Sequence, residues 1–209
     1  MIVELLKQRY SVRKFQDKRI PDDVLQVILE AGRLSPSGGN EQPWRFGVVT
    51  DAELIARMAD IAHQQAWIAQ APLVIVLCTV GVDDARGGRD IQCDRFPEYA
   101  EAIRHMDQDL YQALNQEEHQ TKIAGTHMVL AALERGIGSC WVSRFEVKRL
   151  AELLNLPEGY IPSEILVFGY PEHPGRTVEK KSLDEVVFYN PYNRTRQSGG
   201  HSDDFRGNR

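Results

Sequence analysis

The spacing of apolar side chains changes repeatedly along the chain, and each change marks an element. Residues 2–9 (IVELLKQR) carry the pattern of a short amphipathic helix. In PDDVLQVILEAGRL, residues 21–34, Val24, Val27, Ile28 and Ala31 recur at helical spacing behind a Pro21-Asp22 start. The turn LSPSGGNEQPW then breaks that period, and RFGVVT, residues 45–50, is β-branched and reads as a strand. A helical pattern returns over 52–69 and stops at Pro72. Residues 73–80 follow with apolar side chains on both faces, which predicts a central strand in a covered sheet.

Residues 81–97 (GVDDARGGRDIQCDRFP) have no period and predict a long connection of the functional or mobile kind. Helical stretches are expected over 98–115 and 117–135, a short strand over 138–142 (GSCWV), and a helix in FEVKRLAELLNL ended by Pro157 and Gly159. ILVFGYP, residues 165–171, is the last clear strand. Residues 190–209 hold few apolar groups and predict a C-terminal extension or flexible tail beyond a domain of residues 1–189. Helices and strands in this order predict α+β or α/β, with helices covering a small sheet. The helices are many for so few strands, so some apolar faces are expected to meet a second subunit.

Composition narrows the picture. With 209 residues and 42% apolar side chains, one domain with appendages is expected. A formal net charge of −5 argues against a nucleic-acid or anionic-membrane partner, both of which reward a basic face. The N-terminus is too polar for a signal peptide, and no apolar run approaches the roughly 20 residues of a membrane span. Cys78, Cys93 and Cys140 are widely spaced and form no C-x-x-C, which points to reduced thiols in a cytoplasmic protein.

Four stretches carry candidate chemistry. RYSVRK, residues 9–14, puts Arg9, Arg13, Lys14 and the Ser11 hydroxyl within a turn or so of one another. Guanidinium and hydroxyl donors suit a phosphate, although such clusters are more often a solvated basic face. In SPSGGNEQPW, Asn40 and Gln42 offer flat amides while Ser37, Gly38 and Gly39 keep the backbone unobstructed. That suits the edge of a heteroaromatic ring, or equally a turn that anchors Trp44. GIGSCWVSRF reads as a helix stop followed by a strand whose backbone faces a site, or as core. In RTVEKKSLDEVV, Arg176, Lys180 and Lys181 form a second cationic cluster, or a solvated loop. The histidines show no metal-ligand spacing, and no P-loop, G-x-S-x-G or G-x-G-x-x-G is present.

In order along the chain, RYSVRKF, SPSGGNEQPWRFGVV, APLVIVLC, HMVLAALERGIGSCWV, LPEGYIPSEILVFGYP and KKSLDEVV resemble the nitroreductase family of FMN-dependent NAD(P)H oxidoreductases, over roughly residues 1–188. The resemblance implies an α+β fold around a central mixed β-sheet covered by helices, and an intertwined homodimer with FMN at the subunit interface. Arg9, Ser11 and Arg13, with Tyr10 between them, match phosphate and ring contacts. Ser37, Asn40 and Gln42 match the segment against FMN, contributed by the other subunit. Gln64 falls near an amide that reaches the flavin. Trp141, Val142 and Ser143 match the segment passing the isoalloxazine. Lys180 stands where the family usually has an arginine on the phosphate, and Arg176 shares that work. Ser143 and Arg144 depart from the small residues common after Val142. Lys180 lacks the bidentate fork of the usual arginine.

The implied reaction is ping-pong transfer of hydride from NAD(P)H through flavin N5 to a nitroaromatic, quinone or flavin acceptor, with no protein side chain as nucleophile. Arg13 is expected to stabilise the anionic reduced flavin. A cousin with reductive dehalogenation or flavin-breaking chemistry and a non-catalytic FMN store stay open, as does a structural dimer whose basic clusters are solvated. The resemblance places the difference between the enzymatic cousins in residues 81–115, where the family gates its substrate.

Overall fold

A computed structural model describes residues 2–80, 88–114, 118–175 and 178–189. The chain divides into two compact units, residues 1–176 and 177–209. Among the described residues four strands form the sheet: β1 (Trp44–Val49), β2 (Leu73–Val80), β3 (Gly138–Val142) and β4 (Tyr160–Gly169), in the order β1-β2-β4-β3. Every strand pair among the described residues is antiparallel, where the resemblance implied a mixed sheet. The parallel pairing among the described residues is the isolated bridge between Ser11 and Ser139, on the edge strand β3.

Among the described residues, six helices precede the one that leads into β3: α1 (Ile2–Gln8), α2 (Asp22–Arg33), α3 (Ala52–Ile61), α4 (Gly88–Arg95), α5 (Ala100–Arg104) and α6 (Gln108–Ala113). A seventh, α7 (Glu118–Glu134), leads into β3, and α8 (Val147–Leu153) joins β3 to β4. The second unit contains α9 (Leu183–Val186), started by a capping box in which Ser182 and Glu185 serve each other's backbone.

Strand β2 is central as its two-sided apolar pattern requires, with Leu73 to Cys78 all buried. Side-chain alternation splits the core across the sheet. One layer joins Val74, Val76, Ile165, Val167 and Val142 to Ile55 and Met58 of α3 and Leu150 of α8. The other joins Leu73, Ile75, Leu77, Leu166 and Phe168 to Ile28 of α2 and Met128 of α7. Each such fully buried side chain contributes about 1.5–3 kcal/mol relative to exposure.

Several elements differ from expectation for local reasons. The helix expected over 52–69 ends at Ile61, because His63 and Gln64 both adopt left-handed backbone, and a separate 3-10 turn spans Ala66–Gln70. Part of the expected loop at 81–97 is helical, as α4, whereas residues 81–87 lie outside the described residues. The single helix expected over 98–115 is broken. Arg89 donates to the Ile103 and Met106 carbonyls at 2.9 and 2.7 Å, closing α5 from outside, and Asp107 accepts from Leu110 N–H to start α6. Strand β4 starts at Tyr160, earlier than expected, through pairs with Val80, Thr79 and Cys78. Pro162 is tolerated there because β3 ends opposite Ile165, leaving that side without a ladder.

Gly125 of α7 sits on the sheet. A Cβ there would lie 2.5 Å from Leu77 and 2.7 Å from Trp141. Gly125→Ala is therefore expected to destabilise the fold by about 1–3 kcal/mol through overpacking. The check is a thermal or urea unfolding midpoint, which should fall clearly below the parent's.

Candidate functional site

The site begins with the strap that follows α1. Val12 N–H donates to the Ser139 carbonyl at 3.0 Å, and Ser11 bridges Ser139. Val12 is buried, which turns its neighbours Ser11 and Arg13 outward. Arg9 is half-buried beside them. All three converge on Cys140 of β3. Burial pushes the Cys140 thiol up, against Arg13, Ser11 and Arg9, which pull it down. The Arg13 guanidinium also lies 5.9 Å from the Trp67 ring. Among the described residues, neither Arg9 nor Arg13 forms an ion pair, while Arg19, Arg33 and Arg149 each hold a carboxylate three residues away.

Tyr10 is turned elsewhere. Its hydroxyl donates to the His173 carbonyl at 2.7 Å, and its ring lies against Gly175. It anchors the strap rather than adding a donor to the cluster.

The turn Ser37–Gln42 is strained in a directed way. Gly39, Asn40 and Gln42 have φ of 55°, 61° and 52°. Left-handed backbone at a residue other than glycine costs roughly 1–2 kcal/mol. Ser37 Oγ accepts from Gln42 N–H at 2.9 Å, and Gln42 Nε2 donates to Asn40 Oδ1 at 3.1 Å. The whole turn is latched to α7, since Gln120 Oε1 accepts from Gly38 N–H at 2.7 Å. Of the five non-glycine residues with positive φ among those described, four are Asn40, Gln42, His63 and Gln64. Strain thus gathers in two segments where amide chemistry is expected, a pattern typical of functional sites.

After β3 the chain leaves the ladder at Ser143. Trp141 packs toward Gly125 of α7, and Val142 is buried in the opposite core layer. Their side chains are therefore structural, and the segment offers its backbone edge. Ser143 Oγ donates to Glu164 Oε2 at 2.7 Å, and Glu146 N–H then donates to the Ile61 carbonyl at 3.3 Å. That contact places the exit of β3 beside the loop carrying Gln64, which is exposed. Lys180 is exposed in the extended stretch before α9 of the second unit, and Arg176 lies outside the described residues.

The strap and β3 form one cluster, with the Gln64 loop beside the exit of β3; the Ser37–Gln42 turn is a second feature held from α7. Sequence reading missed Trp67, Gln120, Lys122 and Glu164. Glu164 had left a signal, as a lone charge within the apolar run IPSEILVFGY.

The Nitroreductase family model matches residues 6–170. The chain belongs to the nitroreductase family. It is accordingly an oxidoreductase. An NADH dehydrogenase of Thermus thermophilus is 30% identical to this nitroreductase-family chain over 190 residues, 87% of this chain and 92% of that protein. A nitroreductase family protein from Streptococcus pneumoniae superimposes with a TM-score of 0.73 at 23% identity, covering 91% of this chain and 100% of that one. The NADPH:FMN oxidoreductase of Vibrio harveyi, complexed with NAD+, gives the same TM-score at 23% identity, over 92% of this chain and 78% of that one. The structural likenesses show the nitroreductase fold.

Burial has a chemical consequence for the thiols of this family member. Desolvation pushes Cys78 up to about 12 and also raises Cys140. At pH 8 a thiol-specific disulfide reagent is expected to label neither in the native chain and both in guanidinium. Rapid native labelling of Cys140 would mean that the edge of β3 opens in solution.

Proposed function

We propose that this nitroreductase-family chain is an FMN-dependent NAD(P)H oxidoreductase that reduces a nitroaromatic, quinone or flavin acceptor by a ping-pong route. The observation that carries this reading is the set Arg9, Ser11 and Arg13, gathered on the outer edge of β3 with no carboxylate partner among the described residues. A phosphate-bearing ligand fits that donor set: two guanidinium groups and a hydroxyl, preorganised by backbone pairing. The strained amides of Asn40, Gln42 and Gln64 fit the polar rim of a flat heteroaromatic ring.

FMN, when bound, supplies the two-electron chemistry that couples NAD(P)H oxidation to acceptor reduction. The chain's residues do the rest. Arg9 and Ser11 bind the phosphate. Arg13, held over Trp67, sets a positive potential beside the ring. The backbone of Trp141–Ser143 orients the ring from the open edge of β3. Ser37, Asn40 and Gln42 complete the site across the interface of a homodimer, from the other subunit. The three free buried thiols fit a reducing cytoplasm. No helix among the described residues is long and apolar enough to cross a membrane.

The purified chain is expected to be yellow or to turn yellow with added FMN. Without oxygen, NADH or NADPH should bleach it, and an acceptor should restore the colour. A colourless chain that rejects FMN would end this reading. Arg9→Ala is expected to weaken FMN retention by about 10- to 150-fold, since a charge-assisted contact contributes roughly 1.5–3 kcal/mol. Lys148→Ala, an exposed change on α8, should leave retention unaltered. Equal retention in the two variants would remove Arg9 from the site. Light scattering on the eluting protein tests the dimer.

A further inference from the structure

Glu164 lies outside every segment assigned above to the cofactor, yet it is a carboxylate only 3% exposed. A buried charge is unfavourable unless paired and hydrogen-bonded, and an apolar side chain would serve packing at least as well. Here the pairing is complete. Lys122 Nζ lies 3.1 Å from Glu164 Oε1, and Ser143 Oγ donates to Oε2 at 2.7 Å. Lys122 also reaches Glu118 at 3.1 Å. Beside this pair the Thr79 hydroxyl meets those of Thr121 and Ser163 at 2.8 and 2.6 Å, where the β2–β4 register shifts. Polar groups therefore replace apolar core at this end of the α7 layer.

The place matters as much as the chemistry. The β3–β4 ladder ends at the pair Val142–Ile165, so Ser143 is the first residue beyond it. The bond to Glu164 extends the fixation of β3 by one residue. The same turn of α7 also holds the second feature, through Gln120 and the Gly38 N–H.

We propose that Glu164, balanced by Lys122, is a positioning residue: it holds Ser143, and through it the backbone of Trp141–Ser143, against the cofactor. This inference rests on the functional reading above. Glu164 touches no reacting atom; its work is geometric, and its charge is offset by Lys122, which it shares with Glu118.

The test uses the full-length chain loaded with FMN. Glu164→Gln should weaken FMN retention about tenfold in a fluorescence titration. Ser143→Ala should do the same, and the double variant should lose no more than either single one. The midpoint potential of the bound flavin should rise in Glu164→Gln, which removes one negative charge from the Glu118–Lys122–Glu164 group, and fall in Lys122→Met, which removes its positive charge. A merely structural pair would move both variants the same way. Additive losses, unmoved potentials or shifts of one sign overturn the proposal. If Glu164→Gln does not fold, Ser143→Ala and Lys122→Met carry the same readouts. If the parent chain itself refuses FMN, the functional reading fails. Amide hydrogen exchange over residues 141–146 then decides the positioning claim: faster exchange in Glu164→Gln or Ser143→Ala supports it, and unchanged exchange overturns it.

Discussion

An edge strand leaves a row of N–H and C=O groups without partners, and a folded chain must cover, charge or otherwise occupy that row. Among the described strands β1 and β3 are the edges, and the residues that cover part of β3 are also the ones that charge it. Extended backbone alternates its side chains, so seating Val12 in the core leaves its neighbours Ser11 and Arg13 facing out. One backbone bond, from Val12 N–H to the Ser139 carbonyl, thereby fixes where a serine and an arginine stand. The cationic cluster is a by-product of closing the sheet, and any ligand that meets it also meets the strand.

Helix α7 performs the complementary task on the other side. Its C-terminal part is ordinary core, with Met128 and Ala132 fully buried. Its first turns carry Gln120, Thr121 and Lys122, whose polar ends reach the turn before β1, Thr79 of β2 and Glu164 of β4, with Glu118 paired to Lys122. The helix changes from an apolar to a polar packing surface along its own length. That change coincides with the end of the sheet at which the strained turn and the exit of β3 are found. Gly125 marks the boundary, where the helix comes close enough to touch Leu77 and Trp141.

How much of this was legible in the sequence depends on whether the deciding contact was local. The continuous apolar run of β2 is a local pattern and was read to the residue. The break between α5 and α6 was not, because the groups that close α5 come from Arg89, a tertiary cap. RYSVRK was ambiguous from spacing and became informative through resemblance; nothing within it shows that Ser11 meets Ser139. The side chains of Tyr10, Trp141 and Val142 turn to packing although their segments were singled out, since a motif marks a stretch of backbone and leaves open which way each side chain points. Gln120 and Lys122 sit in a stretch that reads only as helical, and nothing within it shows which distant group each polar end meets. The expectation of a mixed sheet came with the resemblance, whereas the described strands pair antiparallel.

The clasp of the Tyr10 hydroxyl on the His173 carbonyl joins residues 163 positions apart. Contacts of such long separation are penalised in loop closure and tend to slow folding. On a ribosome, the strap emerges early and must wait for β3, and Tyr10 must wait for the segment after β4, before either finds its partner. The cation-bearing strap is thus completed late in synthesis, and a nascent chain stalled before β4 would carry the right residues with the clasp still open.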